Sequence, residues 1–126
     1  MPHPRIKTTV QRLGDVVVIH LKGRLARGEG CSHLSDVVLK QADAGMIVLN
    51  LSEVERIDAW GLGVLLRLRE RARSQGVAFK LMNSVDQVRR LLQLTKLDRV
   101  FEFCSVRDLL CLMYSDAGSP AEAVVA

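Results

Sequence analysis

The sequence predicts a single α/β domain, with a mostly parallel sheet of about five strands, an antiparallel edge strand and about four helices. Three observations carry that reading. Short apolar runs rich in β-branched residues alternate with longer stretches of helical periodicity, in the order β-β-α-β-α-β-α-β-α. Strands separated by helices pair in parallel through right-handed crossovers, whereas the first two runs, parted by Gly14 and Asp15, read as a hairpin that adds an antiparallel edge. A chain of 126 residues holds enough material for one core and not for two.

Each element follows from its local pattern. Ile6 to Gln11 and Val16 to Leu21 (VVVIHL) form the hairpin. Cys31 to Ala44 places Cys31, Leu34, Val38 and Ala42 on one helical stripe, which stops near Gly45. Met46 to Leu51 (MIVLNL) is a short run of buried-strand type. Gly61 to Gln75 is the next helix, ended by Gly76, and Ala78 to Met82 the next strand. Ser84 to Leu94 is a helix whose start is signalled by Ser84 and Gln87 at capping-box spacing, with Val85, Val88, Leu91 and Leu92 as its apolar stripe. Val100 to Cys104 completes the sheet and Val106 to Tyr114 is the last helix. The folded domain is thus placed at residues 1–114, and the small polar residues of Ser115 to Ala126 read as a disordered tail.

Composition narrows the function classes. Hydrophobic residues at 48% and charged residues at 25% fit a soluble globular protein, and aromatics at 4% leave the core to Leu, Val and Ile. No apolar run approaches the roughly 18 to 20 residues of a membrane span. The start MPHPRIKTTV lacks the apolar centre of a secretory signal, so a cytoplasmic protein without membrane insertion is expected. The net charge of +4 suits an acidic partner, but no stretch interleaves aromatics with dense basic residues, which sets nucleic acid aside. Cys31, Cys104 and Cys111 form no CxxC pair, and adding His33 completes no zinc spacing. No metal or other cofactor is expected, and the cysteines read as small hydrophobes in a reducing compartment.

Sites in open α/β sheets form outside the carboxyl ends of the strands. The loop Lys22 to Gly30 is glycine-rich, but its spacing matches neither GxGxxG nor GxxxxGK[ST]. The stretch RIDAWGLGVLL, Arg56 to Leu66, is more informative. Asp58 stands where a helix N-cap would, which accounts for it structurally; the same helix start can also present its positive end to an anion or a docking loop. An enzyme reading fails on inventory. No His sits near a nucleophile, and the other carboxylates at this junction are only Glu53 and Glu55.

From Ile47 to Phe103, IVLNLSEVERIDAWGLGVLLRLRERARSQGVAFKLMNSVDQVRRLLQLTKLDRVFEF resembles a STAS domain, the fold of bacterial anti-sigma factor antagonists. Asp58, Gly61, Leu62 and Gly63 match the family's Asp-Ser-Ser/Thr-Gly-Leu-Gly, and VVVIHLKGRLA is similar to its strand ending in Gly-x-Leu-Asp. The resemblance covers residues 6 to 114. It implies a non-catalytic protein that binds an anti-sigma factor, itself a serine kinase, which phosphorylates the serine after the motif Asp. Phosphate adds nearly two negative charges there and disrupts the interface. This chain departs from the pattern: Ala59 replaces the phosphoacceptor, Trp60 the next hydroxyl residue, and Ala26 the upstream acid. The resemblance also admits a second role, as a subunit of a signalling complex or of the cytoplasmic part of a phospholipid ABC transporter.

A docking surface is expected at Asp58, Ala59, Trp60 and Gly61, continued along the helix. Projected at about 100° per residue, Gly61, Val64, Leu65, Leu68 and Ala72 face the core, and Leu62, Leu66, Arg69 and Arg73 share a flank. That flank suits a partner with an apolar groove and an acidic rim; alternatively the leucines widen the core stripe and the arginines are solvated. Trp60 either projects as an interface anchor or folds inward.

Overall fold

Valine and isoleucine crowd the segment after Gly14, and their branched Cβ atoms favour extended backbone. The segment forms β2 (Val16–Leu25), paired antiparallel with β1 (Lys7–Leu13) across a turn in which Gly14 has φ 63°. The computed structural model describes residues 6–26, 29–41 and 43–117. After the hairpin come α1 (Glu29–Leu39), β3 (Met46–Ile57), α2 (Ala59–Ser74), β4 (Ala78–Met82) and α3 (Asp86–Leu94). A 3-10 turn at Leu97–Arg99, β5 (Glu102–Cys104) and α4 (Val106–Ala117) complete the chain order. The sheet runs β1-β2-β3-β4-β5, with β1 antiparallel at one edge and the other pairs parallel, as the alternation of elements predicts.

The two faces of the sheet are buried unequally. Val17, Ile19, Leu21, Ile47, Leu49, Phe79 and Leu81 point to one side and form the main core with Leu34 and Val38 of α1, Leu65 and Leu68 of α2, and Val88 and Leu92 of α3. On the other side Val16, Val18, Val48, Met82 and Cys104 make a smaller cluster, closed by Leu109 of α4. Asp15 in the hairpin turn aligns the start of β3: its carboxylate and its carbonyl both accept from Gly45 N–H at 2.9 Å. α1 ends at Leu39, short of the expected Ala44, and the Asp15 tether at Gly45 fixes where the chain re-enters the sheet.

Three further differences from the sequence reading have local causes. β3 does not end at Leu51 but continues to Ile57, and β2 continues to Leu25. Two register shifts, between His20 and Lys22 and between Gly23 and Arg24, each insert an extra residue into β3. The buried positions there are Leu51, Val54 and Ile57, a spacing of three that shows neither strand nor helix periodicity. At α3 the expected capping box is absent. Val85 is the N-cap with no side-chain bond, while Ser84 is buried at 8% exposure behind Asn83, whose φ of 58° is left-handed. The reciprocal box lies at α4 instead: Asp108 N–H donates to Ser105 Oγ at 3.0 Å, and Ser105 N–H donates to Asp108 Oδ2 at 3.2 Å. Finally, α4 runs on from Tyr114 to Ala117, and residues 118–126 of the expected tail lie outside the described residues.

Candidate functional site

The junction between β3 and α2 is built on the end of β2. Asp58 has extended backbone (φ −112°, ψ −177°), and its Oδ1 accepts from Gly61 N–H at 2.8 Å, satisfying one free donor of the first turn. The Asp58 carbonyl accepts from Leu62 N–H at 2.9 Å, while Asp58 N–H donates to the Leu25 carbonyl at 3.3 Å. That last bond draws the helix start onto β2. A Cβ at Gly61 would land on the Leu25 carbonyl oxygen and crowd the Ile57 side chain, so any other residue there forces the backbone of β2 or α2 to shift. Gly63 is different, because a Cβ there would meet open space.

Ala59 and Trp60 open the helix on its exposed side. Trp60 is 48% exposed, so the inward-folded alternative does not hold. Leu62 is only 6% exposed and belongs to the main core, which corrects its placement on a docking flank. The reason is tertiary: three helices share this face of the sheet, so α2 is buried over a wider arc than its own stripe marks. Leu66 packs partly against the same core. Arg69 is half-buried, donates to Glu70 Oε2 at 2.6 Å, and lines a groove with Arg73, Phe79 and Glu102.

Trp60 also does not share a flank with those residues. At about 100° per residue it lies roughly 160° around the helix from Leu62, on a ridge with Gly63, Arg67 and Arg71. The structure therefore brings Asp58, Ala59, Trp60 and Gly61 together and separates them from the stripe of Leu62, Leu66, Arg69 and Arg73. The sequence reading missed this ridge, although i, i+3, i+7 spacing from Trp60 was its signal.

The chemical inventory is sparse. Among the described residues no group of His, Cys, Asp and Glu is arranged to hold a metal ion, and no helix is long and apolar enough to cross a membrane. A cleft of about 520 Å³ lies at the carboxyl ends of β4 and β5, lined by Asn83, Ser84, Arg89, Phe103 and Asp108, away from the junction. Burial pushes the Cys104 thiol above its ordinary pKa, an effect opposed by nearby Lys80 and reinforced by Asp108.

Residues 7–109 match the family model for the STAS domain. The chain belongs to the STAS domain family. Over 54 residues this STAS domain is 43% identical to a Thermotoga maritima protein named as an anti-sigma factor antagonist, covering 43% of this chain and 48% of that protein. The chain thus spans about half the length of the curated relatives it matches. A crystal structure of a T. maritima protein of the same description superposes with a TM-score of 0.71 at 26% identity, over 84% of this chain and 93% of the other. An anti-sigma factor antagonist from Mycobacterium paratuberculosis has the same fold at 23% identity, with a TM-score of 0.71 over 86% of this chain and 93% of the other. The STAS fold of these neighbours agrees with the five-stranded mixed sheet described above.

Proposed function

We propose that this STAS domain is a regulatory module of the anti-sigma factor antagonist type. It works in the cytoplasm, performs no catalysis, and captures an anti-sigma factor of the serine-kinase class. Contact is made through the start of α2, at Asp58, Ala59 and Trp60, and along the ridge of Gly63, Arg67 and Arg71, while Gly61, buried against Leu25, holds the helix start in place and does not meet the partner. The observation that carries this reading is the half-exposed indole of Trp60 beside Gly63, which has open space where a side chain would stand. Large aromatic rings seated in partner pockets supply much of the binding energy of protein interfaces. A glycine one turn along lets a partner approach the helix backbone, and the arginines beyond suit an acidic rim.

Ala59 gives the module its character. With no hydroxyl at the position after Asp58, no phosphate can be placed at the helix start to repel the partner. Capture is then set by concentration and not by phosphorylation state.

The test is to purify candidate anti-sigma kinases from the source genome and titrate them calorimetrically with the native chain and with Trp60→Ala. The variant is expected to bind with a loss of about 2 kcal/mol, close to thirtyfold, while its melting temperature stays near that of the native chain. Equal affinity of the two proteins for a kinase that binds would refute the Trp60 contact. Incubation with the same kinase and ATP is expected to leave the peptide containing Asp58 to Gly61 without added phosphate by mass spectrometry.

A further inference from the structure

The two bulges in β3 have a consequence on the opposite face of the sheet. They bring Arg24 and Arg56 into direct cross-strand register. The next residues, Leu25 and Ile57, turn into the main core, so both guanidinium groups project from the face away from α2. Across the β1–β2 pair, Lys7 stands opposite Lys22, and all four basic residues are exposed. Like charges directly opposite one another destabilise a sheet. Among the described residues, the ion pair within this group is Lys22 with Glu53 at 4.0 Å, between side chains 65% and 62% exposed. Arg24 and Arg56 take part in no ion pair among those residues. Among the described residues, Leu109 of α4 packs with Val16, Val18, Val48, Met82 and Cys104, none of which belongs to the basic rows.

We infer that this basic face docks an extended acidic segment of a protein partner. The four basic residues outnumber Glu53 and Glu55, the exposed carboxylates of the same stretch of β3, so charge complementarity favours an acidic partner, and two adjacent guanidinium forks match the bidentate geometry of carboxylates. Beside them Gln11, His20 and Asn50 form a hydrogen-bonded row. Ser52 N–H donates to Asn50 Oδ1 at 3.1 Å, Asn50 Nδ2 donates to His20 Nδ1 at 2.9 Å, and His20 Nε2 donates to Gln11 Oε1 at 3.2 Å. Nucleic acid fits less well, because β1, β2 and β3 carry no Phe, Tyr or Trp on which bases could stack. The inference rests on the sheet alone and holds whether or not the start of α2 captures an anti-sigma kinase.

The experiment uses the full chain and a fluorescein-labelled peptide of ten glutamates, read by fluorescence anisotropy at low salt. The native chain is expected to bind the peptide with an affinity that falls as salt is added. Arg24→Glu is expected to weaken binding about tenfold and to raise the melting temperature, because it turns a like-charge pair into an opposite-charge one. Arg56→Gln is expected to weaken binding as well, and Trp60→Ala to leave it unchanged, which separates this surface from the α2 junction. Unchanged peptide affinity in Arg24→Glu, a lower melting temperature in that variant, or tighter binding of a labelled single-stranded DNA of equal charge would each overturn the inference.

Discussion

Gly61 and Gly63 stand two positions apart, one on either side of Leu62, and their surroundings predict opposite responses to the same substitution. Gly61→Ala drives a methyl group into the Leu25 carbonyl, and overpacking of that kind costs about 1 to 3 kcal/mol. Gly63→Ala meets no atom and removes the entropic penalty of a mid-helix glycine, so a gain of about 0.5 to 1 kcal/mol is expected. Urea unfolding of the two variants checks both signs. If Gly63 is kept open for a partner, Gly63→Ala also weakens capture while the fold becomes more stable. The thiols offer a second comparison at this scale. Cys111 is exposed, whereas Cys104 is buried with its pKa raised by desolvation. At neutral pH an alkylating reagent is expected to label Cys111 well before Cys104, as followed by peptide mass spectrometry. The sign for stability follows from the same shift. Folding favours the neutral thiol, so the Cys104 contribution is intact at neutral pH and is lost as pH rises beyond the ordinary thiol range.

Helix ends in this chain are stabilised in unlike ways, which makes the caps testable element by element. Asp58 caps α2 with one bond to Gly61, and Arg71 and Arg73 in the last turn complement the helix dipole. At α4 the Ser105 and Asp108 pair satisfies donors in both directions. Ser105→Ala is expected to cost about 1 kcal/mol in thermal or chemical unfolding. The corresponding change at α3, Gln87→Ala, is expected to stay within about 0.5 kcal/mol, because Gln87 is an exposed residue with no capping bond. A large loss at Gln87 would restore the capping box that its spacing to Ser84 suggests.

For the whole molecule, the second face of the sheet decides how far α4 belongs to the folded unit. Leu109 is buried in the small cluster that α4 closes over Val18, Val48 and Met82. Leu109→Ala is expected to cost about 2 to 5 kcal/mol while unfolding remains a single transition, read by circular dichroism against denaturant. A loss below about 0.5 kcal/mol would mean that α4 contributes little to the cooperative core. The exposed Arg24 and Arg56 rows lie outside that cluster, so packing of the second face and its surface charge are parts of one arrangement.

Alternation of strand and helix patterns, with a Gly14-Asp15 hairpin at the start, was enough by itself to determine an α/β sheet with an antiparallel edge. The reason is local: strand and helix periodicities differ, and crossovers are right-handed, so few topologies satisfy the order. Asp58 as a cap was legible for the same reason, since it answers a need of the first helical turn, whereas the demand for glycine at 61 comes from the Leu25 carbonyl of β2. What lies between elements was decided by tertiary structure. Leu51, Val54 and Ile57 repeat every third residue because two bulges interrupt β3, and only pairing with β2 makes that spacing a strand. Leu62 is buried because neighbouring helices widen the covered arc of α2, while Trp60 remains exposed on the far side. Ser84 carries a capping residue's identity, yet beside the left-handed Asn83 it is buried, Val85 takes the N-cap position of α3 without a side-chain bond, and the reciprocal box forms at α4 from Ser105 and Asp108. Periodicity reports what a segment does with its own backbone; which flank meets another element depends on contacts between residues distant in sequence.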